Sequence, residues 1–178
     1  MTSYAVFLRG INVGGINIKM ADLKDALAGY PFSKVKTLLA SGNVVLQSGL
    51  GAADVKGQFE KCLREAFGYD AWVVVLTPSR IAELVEACPY PADDPSTHAY
   101  ITLASDSAML DELVDAAQAV GSVEKVRLGP EALAWLAPAG GTLESPVSKV
   151  SAKARYKATT TTRNLRTLIK VRDAAAAS

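Results

Sequence analysis

Cysteine and histidine are scarce in this chain of 178 residues, and their scarcity excludes several kinds of site. The two cysteines, Cys62 and Cys88, fall within or at the end of helical patterns, so both are predicted to be core thiols rather than a disulfide. With His98 as its single histidine, the chain has too few histidines for a histidine-rich metal site, and a histidine-based triad is not expected. We therefore expect no metal site and no bound cofactor.

Long apolar runs and aromatic residues are also few. No run approaches the roughly 20 residues that a membrane-spanning helix needs, and the N-terminus lacks the basic-then-apolar layout of a signal peptide. We expect a cytosolic protein with no membrane partner, long enough for one domain or two small ones. Both tryptophans, Trp72 and Trp135, lie in apolar strand patterns and are predicted to be core residues.

Two common nucleotide-binding motifs are missing from the glycine-rich segment at 9–15. Gly10 and Gly15 have the spacing of a P-loop, but Ile16-Asn17 stand where that loop needs lysine followed by serine or threonine. The glycine spacing does not fit the Rossmann fingerprint G-x-G-x-x-G either. These residues therefore predict neither P-loop nucleotide hydrolysis nor dinucleotide binding.

What remains is a glycine-rich loop between a predicted strand and a predicted helix. Such loops are typical of anion sites, because glycines let backbone N–H groups converge on a ligand. The alternative is a tight turn that holds no ligand. The candidate ligand-binding residues of this loop are Arg9, Asn12, Gly14, Gly15 and Lys19.

The first half of the chain has a regular order of strand and helix patterns. Strands are predicted at 4–8, 35–39, 44–47 and 72–76, and helices at 20–30 and 55–67. The order β-α-β-β-α-β predicts a ferredoxin-like subdomain, in which two helices cover one face of an antiparallel sheet.

The second half repeats this order less completely, after a proline-rich linker over 88–97. We predict an α+β protein of two ferredoxin-like subdomains, 1–77 and 78–178, with an extra C-terminal helix. The patterns in the second half predict a helix from Thr77-Pro78, a strand at 98–103, a helix from Ser105 or Asp106, a hairpin around Gly129-Pro130, a helix from Ser145-Pro146, and a terminal helix over 163–176 capped by Thr162.

Charge is distributed unevenly along the chain, although the net charge is only +1. The segment at 149–172 contains eight basic residues and no acidic one, whereas residues 1–148 contain 11 basic and 17 acidic residues. A concentrated positive segment favours a polyanionic partner, or an acidic face of the same chain against which it packs. The sequence leaves both alternatives open.

Two further segments carry hydrogen-bonding side chains. Ser41-Gly42-Asn43 is predicted to be a hairpin turn, because glycine and asparagine tolerate positive φ, and Ser41 and Asn43 are also candidate ligand-binding residues. Thr162, Arg163 and Asn164 lie at the predicted start of the last helix. Their side chains suit anion binding, or a helix cap combined with a salt bridge.

Four motifs in order resemble the signature of a bacterial family catalogued only as a domain of unknown function. They are LRGINVGG at 8–15, KMADLK at 19–24, SGNVV at 41–45 and TTRNLRTLIK at 161–170. The resemblance extends from Tyr4 to about Arg172 and implies a pair of ferredoxin-like subdomains, but no reaction. Leu165 stands where many members of that family have tryptophan, which puts in doubt an aromatic stacking surface there.

Three functions are compatible with these features. The first is binding of a phosphorylated or other anionic small ligand through the glycine-rich loop and the basic C-terminal segment. The second is RNA binding, because RNA-recognition domains use a ferredoxin-like sheet, although no strand here has their aromatic-rich motif. The third is an enzyme acting on a small anionic metabolite, with Ser41, Lys19 or Lys149 as candidate reactive groups. The sequence predicts no oligomeric state.

Overall fold

The computed structural model describes residues 1–9, 16–68 and 70–178, without the side chain of Lys157. Within these residues the chain divides into two compact units. The first unit is Met1–Ile81 together with Lys170–Ser178, and the second unit is Ala82–Ile169. Each unit contains one four-stranded sheet.

The first unit has the element order that the sequence predicts. Neighbouring strands are antiparallel, and the order across the sheet is β2-β3-β1-β4. This arrangement is ferredoxin-like, as predicted. Its elements are β1 (Thr2–Arg9), α1 (Met20–Leu27), β2 (Ser33–Leu38), β3 (Asn43–Ser48), α2 (Ala52–Phe67) and β4 (Trp72–Leu76).

Helix α2 shows how the sequence determines these elements. Val55, Phe59 and Leu63 recur every four residues, and all three are fully buried in the core beneath the sheet. Gly68 ends the helix with a φ of 67°, a left-handed conformation that glycine adopts without the steric cost of a side chain. The helix end predicted at this glycine is therefore confirmed.

The second unit repeats the arrangement, with the antiparallel sheet order β6-β7-β5-β8. Two short helices, α5 (Pro146–Ser151) and α6 (Ala154–Lys157), replace the single long helix that joins the third and fourth strands of the first unit. The remaining elements are α3 (Pro78–Ala87), β5 (Thr97–Ala104), α4 (Ser107–Val120), β6 (Lys125–Gly129), β7 (Ala132–Pro138), a 3-10 turn (Thr142–Glu144), α5 (Pro146–Ser151), α6 (Ala154–Lys157), β8 (Thr160–Asn164) and α7 (Leu165–Ala176).

Strand β8 corrects one prediction. The sequence predicts a helix over 163–176 with Thr162 as its cap, but Thr160–Asn164 is extended and pairs with β5. Consecutive threonines favour extended backbone because they branch at Cβ. The helix begins at Leu165, and Asn164 Oδ1 accepts a hydrogen bond from Arg166 N at 2.9 Å. Asn164 therefore has the capping role that the sequence assigned to Thr162.

The central strand of each sheet is buried on both faces. Every residue from Tyr4 to Leu8 in β1 is at most 5% exposed, and every residue from Ile101 to Ala104 in β5 is at most 3% exposed. Side chains alternate between the two faces of a strand, so neither face is open to solvent along these segments. This burial explains why β1 is a continuous apolar run from Tyr4 to Leu8 rather than an alternating one.

The outer edge of β4 is bonded to side chains of α2. Val73 N donates to Glu60 Oε1 at 3.2 Å, and Lys56 Nζ donates to Val73 O at 2.7 Å. Lys56 and Glu60 also form an ion pair with each other, one helical turn apart. The pair therefore satisfies both backbone groups of one residue of the edge strand.

Asp106 is the best-defined helix cap in the second unit. Its Oδ1 accepts from Ala108 N at 2.9 Å and from Met109 N at 3.3 Å, at the start of α4. We expect Asp106→Ala to lower the free energy of unfolding by about 1 kcal/mol, because these N–H groups lose their acceptor. Asp106→Asn, which keeps an acceptor, should lose clearly less in urea denaturation. Equal losses in the two variants would contradict a capping role.

Candidate functional site

The end of β1 lies directly beside the β2–β3 turn. Leu8 N donates to Gly42 O at 2.9 Å, and Phe7 pairs with Asn43. The sequence could not predict this proximity, which follows from the antiparallel pairing of β1 and β3. Two of the predicted segments, one ending β1 and one at Ser41-Gly42-Asn43, therefore meet at one end of the first sheet.

Asn43 organises the turn from inside. It is fully buried, and its Nδ2 donates to Leu38 O at 2.9 Å and to Ser41 Oγ at 3.0 Å. Gly42 has a φ of 82°, as the turn prediction requires, but the other positive φ belongs to Leu39, at 59°, and not to Asn43. Ser41 is exposed, and its hydroxyl oxygen is held by the Asn43 amide.

Arg9 is the last residue of β1 and pairs directly with Trp72, the first residue of β4. Their neighbours Leu8 and Val73 belong to the core under α1 and α2, so strand alternation places Arg9 and Trp72 on the opposite face. Side chains of directly paired residues have Cβ atoms about 5 Å apart. Arg9 is half-buried, and burial lowers the pKa of its guanidinium. A partly dehydrated cation at a sheet end favours a negatively charged neighbour.

Trp72 is a further candidate site residue, which the sequence alone does not predict. The prediction of a core residue is confirmed for Trp135, which is 1% exposed, but Trp72 is only half-buried. It lies where a buried strand begins, and an apolar strand pattern cannot distinguish its first residue from its interior. We call Arg9, Ser41, Asn43 and Trp72 the first-sheet rim.

Of the other candidates in the glycine-rich loop, the structure describes only Lys19. Lys19 immediately precedes α1, is exposed, and accepts from Leu23 N at 3.0 Å through its carbonyl oxygen. No side chain among the described residues caps this helix start. Asn12, Gly14 and Gly15 lie outside the described residues.

The predicted site residues Thr162, Arg163 and Asn164 belong to the second unit. Thr162 Oγ1 lies 2.8 Å from Thr102 Oγ1, which accepts from the buried Trp135 Nε1 at 3.0 Å. Arg163 is 6% exposed, and its Nη1 donates to Thr161 Oγ1 at 2.8 Å and to Thr162 O at 3.0 Å. Asn164 caps α7, as described above. These side chains take part in the internal hydrogen bonding of the second unit.

The second sheet has different residues at the positions that match Arg9 and Trp72. Ser105 comes directly after β5, at the position that corresponds to Arg9 in the first sheet. Its N–H donates to Thr159 O at 2.8 Å, one residue beyond the paired residues Ala104 and Thr160. A cation and an aromatic ring are therefore not requirements of this fold.

The basic C-terminal segment contains several ion pairs. Lys149 Nζ lies 3.3 Å from Glu144 Oε2, and Arg155 Nη2 lies 2.5 Å from Glu112 Oε1. Arg166 Nε donates to Ala92 O at 2.8 Å and lies 3.7 Å from Asp93 Oδ1, while Arg172 pairs with Asp173. Such exposed pairs contribute only about 0–1 kcal/mol each. They engage half of the segment's eight basic residues with acidic groups of the chain itself.

Neither metal ligation nor activated thiols are found in the described part of the chain. No group of three or more histidine, cysteine, aspartate or glutamate side chains there could hold a metal ion. Burial raises the pKa of the Cys62 thiol to about 11 and also raises the pKa of Cys88. Across the same residues, no helix has both the length and the apolar character needed to cross a membrane.

The fold and the rim together define an α+β protein with two ferredoxin-like sheets and a cationic end on the first. Residues 1–133 match the family described as Protein of unknown function (DUF1697), so the chain belongs to that family. The predicted resemblance to a family of unknown function is thereby confirmed. No curated protein matches this sequence.

A solved structure agrees with the fold. The chain is similar to the conserved bacterial protein SP0830 from Streptococcus pneumoniae, with 20% identity over 99% of both chains and a TM-score of 0.81. An unknown protein from Galdieria sulphuraria aligns with 92% of this chain and 96% of its own at 12% identity, but its TM-score of 0.27 is too low for any argument. The first similarity shows a shared fold.

The hydroxyl pair Thr102–Thr162 gives a stability prediction. Thr102→Val should lower the free energy of unfolding by about 1–3 kcal/mol, because the buried indole N–H of Trp135 loses its acceptor. Thr162→Val removes only the outer hydroxyl and should cost less. Urea denaturation of the two variants measures the difference, and an equal cost would contradict the bridging role of Thr102.

Thiol labelling tests the buried cysteine. At pH 8 the Cys62 thiol stays protonated, since its pKa is raised to about 11, and it is only 1% exposed. We expect iodoacetamide to modify Cys62 in native protein at least tenfold more slowly than in urea. Mass spectrometry of quenched samples gives both rates. Similar native and denatured rates would show that Cys62 is accessible.

Proposed function

We propose that this protein binds a small anionic ligand, such as a phosphorylated metabolite, at the first-sheet rim. The observation that carries the proposal is the position of Arg9, a half-buried guanidinium at the end of a fully buried strand. Guanidinium groups bind phosphate and carboxylate oxygens through two parallel hydrogen bonds, and partial dehydration strengthens such bonds. Burial is also the reason why the pKa of Arg9 is lowered.

Neighbouring groups support the same ligand chemistry. Ser41 is exposed in the adjacent turn, and because its oxygen accepts from Asn43, its hydroxyl proton is directed away from that amide. Fully buried Asn43 would position Ser41 rather than touch the ligand. Lys19 precedes α1, which runs back from the sheet end where β1 stops, so its charge would attract anions to this end.

The proposal includes a cytosolic location and no catalytic assignment. Both cysteines are free thiols, which favours a reducing compartment. Of the candidate reactive groups, Ser41 accepts a hydrogen bond from the Asn43 amide and Lys149 forms an exposed ion pair with Glu144. Binding is therefore the function that the rim supports best.

RNA binding has less support. RNA-recognition domains stack bases on an open sheet face, whereas β1 and β5 are buried on both faces. Leu165, at the position where many family members have tryptophan, is 3% exposed and so offers no stacking surface. Short single-stranded RNA nevertheless belongs in the test as a competing outcome.

A thermal-shift panel tests the proposal with inorganic phosphate, ribose 5-phosphate, citrate and a short single-stranded RNA. A ligand at 100 times its Kd stabilises the folded state by about 2.7 kcal/mol, which raises Tm by several degrees. We expect at least one small anion to raise Tm in the wild type, and Arg9→Ala to abolish that shift.

Arg64→Ala is the matched control, because Arg64 is an exposed arginine on α2, which covers the other face of the sheet. It should keep the full shift. An equal shift in wild type and Arg9→Ala would refute the rim as the site. A shift from RNA alone, increasing at low salt, would favour the nucleic-acid alternative.

A further inference from the structure

The first-sheet rim combines a cation with an aromatic ring. Along β4 the exposed fraction rises from 5% or less at Val73 and Val74 to a half-buried Trp72, and along β1 it rises from 0% at Phe7 to a half-buried Arg9. The two side chains therefore emerge together where a covered sheet face meets solvent. Since they pair directly, both are on the same face.

The spacing of the strands sets the size of the ligand. Ser41 precedes β3, Arg9 ends β1 and Trp72 begins β4, and these three strands are consecutive in the sheet. Neighbouring strands are about 4.8 Å apart, so β3 and β4, which lie on either side of β1, are about 10 Å from each other across the rim. An anionic group near Arg9 and Ser41 thus leaves about one strand spacing to Trp72, which matches a sugar-sized spacer.

We infer that the ligand of the rim is a nucleotide, with its phosphate on Arg9 and Ser41 and its base packed against Trp72. The inference rests on the proposed function and specifies the class of anion. Aromatic side chains stack on any base, because every base has a π-face, whereas a plain sugar phosphate offers no such surface. Because stacking does not depend on the identity of the base, purine and pyrimidine monophosphates should both bind.

Calorimetric titrations of adenosine 5′-monophosphate, uridine 5′-monophosphate and ribose 5-phosphate test this inference. A base–aromatic stack strengthens binding by about tenfold or more, so both nucleotides should bind at least tenfold more tightly than the sugar phosphate. They should also change the tryptophan emission, because Trp72 is partly exposed while Trp135 is buried.

Two variants of Trp72 distinguish the loss of base stacking from the loss of folded protein. Trp72→Phe keeps an aromatic face and should keep most of the preference for nucleotides. Trp72→Leu should bind nucleotides no more tightly than it binds ribose 5-phosphate. Measurable binding of ribose 5-phosphate by this variant shows that it is folded.

The outcomes distinguish this inference from the proposed function. Equal affinities for nucleotides and ribose 5-phosphate in the wild type would overturn the nucleotide assignment and leave the anion site standing. A nucleotide preference that survives Trp72→Leu would show that the base binds elsewhere, which also overturns it. If citrate binds but no phosphate compound does, only the nucleotide assignment fails. If no anion binds, the proposed function and this inference fail together.

Discussion

Antiparallel pairing of β1 with β3 on one side and β4 on the other determines what lies at the end of the first sheet. Because both partners run against β1, each begins where β1 stops, and residues from three distant parts of the chain become neighbours. Arg9, Asn43 and Trp72 owe their proximity to this pairing alone. The second sheet has the same pairing and places Ser105 beside Thr159, so the fold provides the position and the sequence provides its chemistry.

Burial of β1 and β5 on both faces restricts chemistry along these strands to their ends. Within the sheets, polar side chains need partners from the chain itself, because an unpaired buried polar group costs about 1–3 kcal/mol. Trp135, Thr102 and Thr162 satisfy one another in the second unit, and Asn43 bonds to the turn in the first. The first-sheet rim differs because Arg9, Ser41 and Trp72 are each at least partly exposed.

Local patterns predicted most of the fold and only part of the rim. Apolar periodicity and end signals such as Gly68 located both β-α-β-β segments, because each signal lies within one element. Strand β8 was missed, since a run of threonines suits both a helix cap and a strand, and only pairing with distant β5 decides between them. Register is likewise a non-local property, which is why the meeting of Arg9 with Trp72 could not be predicted. Residue type alone made Arg9 and Ser41 candidates.

The contact of α2 with the edge of β4 has a consequence for association between molecules. An edge strand can template the addition of a strand from another chain, which is a common route to aggregation. At Val73 both backbone groups are already bonded to Lys56 and Glu60, so an incoming strand would have to displace an ion pair before it could align. One turn of a helix thereby protects the sheet beside the rim from self-assembly.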